Sequence, residues 1–318
     1  MRRRIIVPID MGGSPSRCIV APPPGPLPVP ETVEAMIGHY ATERAPDGAE
    51  LEVGFYRGGI PTAELLAACG GRPIRVSCNP ADLTREDAAR LRAAGCEILE
   101  LEVLSLDPYV LRTCERGYSV GRIKGMLRIL AEMGFRTGVH LVPGLPGSDT
   151  ESALADVRWL AHTGQVDFVR VWPALGFQGA TLAEWALDGR WVPLGLPATV
   201  VLLAKLLEAL DEAKITVARV GLQPGQDIPV PVVAGPTHPN LRGEVEARRF
   251  RRRMMEALRE NDLGTHAVLR VHPKDLGWAK GTSNINARAL RTRLGLTELR
   301  IESDPEVTRG TVMVGGKR

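Results

Sequence analysis

Aromatic residues are scarce in this 318-residue chain, at 4%, so its core must be built mainly from aliphatic side chains. No apolar run approaches the roughly 20 residues of a membrane-spanning helix, which excludes a helical membrane protein. Five cysteines, odd in number and scattered, exclude a disulfide framework and fit a reducing compartment. A secretory leader is not expected: MRRRIIVPID begins basic, but Pro8 and Asp10 cut its apolar stretch short. A cytoplasmic location is expected. What remains is the composition of an ordinary soluble globular protein, 44% hydrophobic and 24% charged. Its length suits one large domain or two unequal ones.

The net charge of +3 conceals an asymmetry. Residues 241–318 hold 17 Lys and Arg against 10 Asp and Glu, whereas residues 1–240 hold 23 against 27. A basic C-terminal quarter suits either a solvated surface or an anionic partner.

Short β-branched runs alternate with helical patterns through the first two thirds. Strands are expected at 4–9, 50–56, 73–77, 97–103, 136–142, 167–172 and 215–221, and helices at 31–42, 61–69, 84–94, 119–133, 150–162 and 197–213. The helix at 84–94 is the best marked: Thr84 caps it, Asp87 follows three residues on, and Gly95 closes it. Continuous apolar strands separated by helices mean a parallel sheet, here a partial or complete β/α barrel. In such barrels the chemistry sits at the C-terminal ends of the strands. The proline-rich APPPGPLPVP (21–30) reads as a stiff surface linker. After residue 240 the rhythm changes. An Arg-rich helix, two strands around a helix at 283–294, and a last strand at 310–315 form a small α/β extension. Two domains are expected, 1–240 and 241–318.

Four segments carry a more specific signal: ELEVLSLDPYVLRTCERGYSV (100–120), MGFRTGVHLVPGLPGSD (133–149), DFVRVWPALGFQGATLAEW (167–185) and RVGLQPGQDIPVPVVAGPTHP (219–239). Their order and content resemble the radical SAM superfamily, in particular the branch of the Elongator catalytic subunit and oxygen-independent coproporphyrinogen III oxidase. The resemblance implies a [4Fe–4S] cluster on three cysteines spaced C-x3-C-x2-C after the first strand, with S-adenosylmethionine on its open iron. Soft thiolates are what cluster iron requires. Here the matching positions are Ser14, Cys18 and Ala21, so Cys18 is the sole remaining cluster-position cysteine. Cys69 and Cys114 are expected on helices outside the barrel and Cys96 at its opposite end. That leaves Cys78 as the one cysteine able to approach Cys18.

The positions that the resemblance assigns to S-adenosylmethionine, Gly58, Gly59, Ser77 and Asn79, look vestigial. Arg57 replaces a glycine, and an STRPD-like turn reads Ser-Cys-Asn-Pro-Ala. Glu100 and Glu102 share strand parity and face one side. If that side is the barrel interior, Glu102 needs a cation, with Arg57 or Arg170 the candidates. Glu100, Glu102, His140 and Arg170 form the candidate catalytic set, with the two glutamates as a general acid/base pair or as ion pairs filling a vacated pocket. Arg219, Gln223 and His238 mark a substrate or partner surface. Cys18, Cys78, His140 and Glu102 are also ligand types acceptable to zinc or iron.

In the extension, KDLGWAKGTSNINARAL (274–290) is similar to the glycine loop of KH-type RNA-binding domains, though Gly277 and Gly281 lie one residue too far apart. With RRFRRR (248–253) it nominates Arg248, Arg251, Arg252 and Lys280 for phosphate contact. Two readings follow. The first is a radical SAM pseudoenzyme without cluster or S-adenosylmethionine, binding RNA or an active radical SAM paralogue. The second is an enzyme of altered, non-radical or unusual metal chemistry in the barrel mouth.

Overall fold

The computed structural model describes residues 4–13, 18–22, 24–45, 49–222, 230–261 and 265–315. The chain divides into two compact units, one of residues 1–195 and 206–237, the other of 196–205 and 238–318.

In the first unit β1 (Arg4–Asp10), α1 (Pro30–Glu43), β2 (Glu50–Gly58), α2 (Ala63–Ala67), β3 (Ile74–Cys78), α3 (Arg85–Ala93) and β4 (Cys96–Leu104) follow in strict alternation. Then come α4 (Pro108–Thr113), α5 (Val120–Glu132), β5 (Arg136–Leu141), α6 (Thr150–Thr163), β6 (Phe168–Val171), β7 (Gly176–Phe177), α7 (Thr181–Leu187), α8 (Leu196–Glu212), whose residues 196–205 fall to the second unit, β8 (Thr216–Val220) and β9 (Val232–Ala234). Seven strands pair in the order β1-β2-β3-β4-β5-β6-β8, all parallel, and curl into a partial β/α barrel. The expected strands and major helices are all present. The hairpin of β7 and β9 and the short α7 went unread, being too brief for a periodic signal. The Thr84 cap is a full capping box with Asp87.

Strand alternation sorts the side chains into two rows. Val53, Phe55, Val76, Leu99, Leu101, Val139, Val169 and Val171 are buried as the apolar row. The other row is polar and lines the concave side: Glu52, Arg75, Ser77, Glu100, His140 and Arg170. At its N-terminal end Arg4 contacts Glu50, Glu52 and Glu97, and Arg75 contacts Glu52, around a cavity of about 240 Å³. Above them Phe168 packs on Gly138, where a Cβ would stand 2.3 Å from the ring's Cζ. The sheet thus has an ionic floor, an aromatic layer and a polar mouth.

In the second unit α9 (Leu241–Arg259) precedes β10 (His266–Val271), α10 (Leu276–Lys280), α11 (Ile285–Leu294), β11 (Glu298–Ser303) and β12 (Met313–Gly315). β10 is central, parallel to β11 and antiparallel to β12. Phe250, Met254 and Leu258 of α9 close an apolar core with Leu269, Leu290 and Ile301. Buried Asp275 holds the chain before β12, accepting from Arg309 Nη2 (2.8 Å) and from Gly310 N–H (2.7 Å).

Among the described residues no helix is long and apolar enough to cross a membrane.

Candidate functional site

Register brings the polar row together at the strands' C-terminal halves. Ser77 lies beside Glu100, Glu100 beside Gly138, His140 beside Arg170, and Arg170 beside Arg219. Glu100 is 2% exposed and forms an ion pair with Arg170 Nε at 3.0 Å. The Arg170 guanidinium lies 4.9 Å over the Tyr56 ring, so an aromatic face backs the charge. His140, 8% exposed, meets Trp172 edge to face at 4.4 Å between ring centroids. Burial, assisted by the charges of Arg170 and Arg116, depresses the His140 pKa to about 3, so its imidazole is neutral.

Glu102 faces the same side. Ser77 Oγ donates to its Oε1 at 3.3 Å. Part of the residue reaches solvent, yet burial of the carboxyl raises its pKa, opposed by the charge of Arg116 and reinforced by that of Glu100. Its principal countercharge is therefore Arg116, not the expected Arg57 or Arg170. Arg57 is drawn away because the strand bulges at its end, giving it a φ of 72°. Its guanidinium binds Asp10 Oδ2 at 2.8 Å and reaches Gly12 O at 3.4 Å.

Arg116 is the residue that sequence reasoning missed. It is buried, donates from Nη2 to the Glu102 carbonyl (2.7 Å) and from Nε to Tyr118 Oη (2.8 Å), and lies close enough to Cys18 to interact with it electrostatically. The signal was present in the ERGY run after Cys114, where Glu115 and Gly117 both take positive φ and turn the arginine inward. Trp172 and Tyr56 were missed likewise, although strand parity aligns them with Arg170 and Gly54.

Within the loop after β1, the described residues 18–20 are packed, not open. Ile19 and Val20 are buried with Leu104, Val110, Cys114, Val142 and Leu182, and Cys18 packs against the same cluster. Ile19 O accepts from Leu182 N–H at 2.9 Å. Gly12 lets the proline-rich segment pass: its φ is 73°, and a Cβ there would lie 2.7 Å from Gly25 O. The thiol that Cys18 meets is Cys114, whose pKa burial and Cys18 raise to about 12. The expected neighbour Cys78 is fully buried on β3, and its thiol is likewise pushed up by burial. Helical periodicity placed Cys114 outside the barrel because it could not show which way the end of α4 points. Cys18, Cys78, His140 and Glu102 do not converge as a metal set among the described residues.

At the positions assigned to S-adenosylmethionine, Gly58 ends β2 and accepts from Asn79 N–H at 3.5 Å, and Gly59 abuts Met11. Asn79 is fully buried, its Oδ1 taken by Ala81 N–H at 3.0 Å. Ser77 is spent on Glu102. The donor set for a cluster falls short of three thiolates: Ser14 and Ala21 offer none, and Cys78 and Cys114 are held as thiols by burial. The residues present do not fit the group.

Arg219 is half-buried on β8. His238 belongs to the second unit, where its Nδ1 accepts from Asn240 N–H at 3.1 Å. Ser14 and Gln223 lie outside the described residues. In the second unit Gly277 lies inside α10 and Gly281 just beyond it, where half-buried Lys280 ends the helix. The arginine run does not spread free charge around α9. Arg249 is buried against Glu246, Arg252 pairs with Glu256 and Arg253 lies over Phe250.

A parallel partial β/α barrel with polar residues gathered at the strand ends defines a class of barrel enzymes and their relatives. Two family models match the chain, the radical SAM superfamily over residues 51–160 and the radical SAM C-terminal domain over residues 166–251. The chain belongs to the radical SAM superfamily. It is 28% identical over 163 residues to the tRNA uridine(34) acetyltransferase of Dehalococcoides mccartyi, which covers 51% of this chain and 34% of that protein. It is also 28% identical over 180 residues to human Elongator complex protein 3, covering 56% and 32%. The chain thus spans about a third of the length of the curated relatives it matches. Among solved structures, the archaeal Elp3 of Methanocaldococcus infernus superposes with a TM-score of 0.59 at 17% identity, covering 77% of this chain and 62% of that one. Coproporphyrinogen III oxidase of Escherichia coli, a radical SAM enzyme, gives 0.51 at 18%, covering 67% and 53%.

Proposed function

We propose that this radical SAM superfamily protein performs no radical chemistry and works in the cytoplasm as a binding protein, through the concave face of its half-barrel. The observation that carries the reading is the state of the cluster loop. Its one cysteine packs against an apolar core into which the two residues after it are built. Arg57 supports the same reading, since a tethered guanidinium stands where the family resemblance implies a glycine. RNA is the partner class the relatives favour, because the D. mccartyi protein is named for tRNA uridine(34) acetylation. An active radical SAM paralogue is the other outcome for capture experiments. Anaerobic reconstitution with iron and sulfide tests the core of the proposal. Cluster absorbance and S-adenosylmethionine cleavage should both be absent, and four irons per chain with cleavage would sink it.

A second reading, an enzyme of altered chemistry, is favoured by one observation: Glu100, Glu102, His140 and Arg170 share one face, and the Glu102 carboxyl is held toward its protonated form. It requires a stoichiometric metal or a copurifying metabolite in elemental analysis and mass spectrometry.

A further inference from the structure

The cavity of about 240 Å³ lies at the N-terminal ends of β1 to β5, the opposite end of the half-barrel from the polar mouth, and has room for several waters or one small molecule. Register explains its lining. Arg75 on β3, Ile98 on β4 and Arg136 on β5 are successive partners across the sheet. Adjacent strands stand about 4.8 Å apart, so the two arginines flank Ile98 with their Cα atoms roughly 10 Å from each other. Side chains of that length can close on one small group from both sides.

The charges around it are unevenly matched. Arg4 is spent: it contacts Glu97, donates from Nε to Glu50 Oε2 at 3.1 Å and stands 3.7 Å from Glu52. Glu52, 3% exposed, also accepts from Arg75 Nε. Arg75 Nη1 and Nη2 have no acceptor, and Arg136 has neither acceptor nor carboxylate, among the described residues. The Arg136 guanidinium is held from one side alone, by the Phe168 ring at 5.4 Å. Asp167 is engaged elsewhere, its Oδ2 accepting from Thr137 N–H at 2.7 Å. Within the lining three guanidinium groups face two carboxylates, Glu52 and Glu97, which leaves one positive charge in excess. Glu50, the further carboxylate on Arg4, stands outside the lining and 45% exposed, where solvent screens it. The free donors are reachable, since the Arg75 side chain is 17% exposed and Arg136 is exposed.

We propose that this cavity binds a small aliphatic monocarboxylate. Arg136 and the Arg75 Nη atoms donate to its two oxygens, and its hydrocarbon part lies against Ile6 and Ile98. A guanidinium fork offers parallel N–H donors that match the two oxygens of a carboxylate. One excess cation is balanced by one carboxylate. Phosphate would bring about 1.5 to 2 negative charges beside Glu52 and Glu97. A neutral amide would leave Arg136 uncompensated. The site lies away from the barrel mouth, and it does not depend on the reading of that mouth as a binding surface.

Calorimetric titration of the full chain at low salt, in a buffer free of carboxylates, provides the test. Butyrate, acetate, butyramide and inorganic phosphate are the probes. Butyrate should bind, and butyramide and phosphate should bind at least about tenfold more weakly. Acetate, two methylenes shorter, should bind several-fold more weakly than butyrate. Arg136→Gln removes the unpaired charge at an exposed position and should weaken butyrate binding at least about tenfold. Should that variant fold poorly by circular dichroism, Glu97→Gln removes a negative charge from the lining and should tighten butyrate binding several-fold. The proposal is overturned by any of four results: no butyrate binding, butyramide or acetate equal to butyrate, phosphate tighter than butyrate, or wild-type affinity in a folded Arg136→Gln or Glu97→Gln variant. Because the cavity is remote from the cluster loop, butyrate should bind whether or not iron and sulfide reconstitute a cluster.

Discussion

Asp156 in α6 is 7% exposed, with Ser105 Oγ donating to Oδ2 at 2.9 Å and Leu106 N–H to Oδ1 at 3.0 Å. These bonds favour the carboxylate but do not outweigh its burial, which raises the pKa from 3.8 to about 7. The native state therefore binds more protons than the unfolded chain between pH 3.8 and about 7. Stability is greatest at the acid side of that window and falls as pH rises through it. His140 works in the opposite direction, since its depressed pKa costs stability only as pH drops below 6.5. His140 already lowers stability at pH 6, but equally in wild type and Asp156→Asn, so the difference between the two proteins from pH 6 to pH 8 isolates the aspartate. In urea denaturation the wild type should be less stable at pH 8 by about 1 kcal/mol relative to Asp156→Asn, whose amide keeps the Leu106 contact. An identical pH dependence in the two proteins would mean that the carboxyl is ionised throughout. The same scale shows where residue-level reading fails. Parity placed Glu100 and Glu102 on one face, but it does not encode reach, and so Arg116 was missed as the principal countercharge of Glu102, to which Arg170 adds a smaller share.

Elements were more legible than contacts. Parallel strands covered on one face by helices need unbroken apolar rows, and those rows stood in the sequence at all seven barrel strands. The loop after β1 was not legible in the same way. Its Ile19 and Val20 look like an ordinary apolar pair until α4, α7 and the loops beyond β5 and β6 close around them. The pairing of β5 with β6 gives a sharper check on how firmly the half-barrel is packed. Gly138→Ala would push a methyl into the Phe168 ring, which is itself covered by the Arg136 guanidinium at 5.4 Å. Overpacking at such a site costs roughly 1–3 kcal/mol, more than any gain from reducing glycine's backbone freedom. A lowered urea midpoint with an unchanged slope is the expected result. An unchanged midpoint would show that the ring can swing aside, leaving the layer beneath the Glu100–Arg170 pair loosely filled.

For the whole molecule, charge asymmetry suggested an anionic partner, and the structure narrows where such a partner could be held. Composition counts every arginine equally, whereas the fold spends most of the α9 run internally. Arg249 neutralises Glu246 inside the unit, Arg252 meets Glu256 and Arg253 rests on Phe250. Arg248 and Arg251, one helical turn apart and half-buried, have no acidic partner among the described residues. If RNA binds this unit, those two arginines should carry the phosphate contacts on α9, and Arg252 should carry little. Single-stranded RNA binding measured across a salt series separates the two cases. The double variant Arg248→Ala/Arg251→Ala should weaken binding and flatten the dependence of log Kd on log salt by about 1.4 to 2, near 0.7 to 1 for each phosphate contact removed. Arg252→Ala should change the slope by well under 1, because its guanidinium is already engaged. A double variant with the wild-type slope would rule α9 out as the RNA-binding element and return the basic C-terminal charge to the role of a solvated surface.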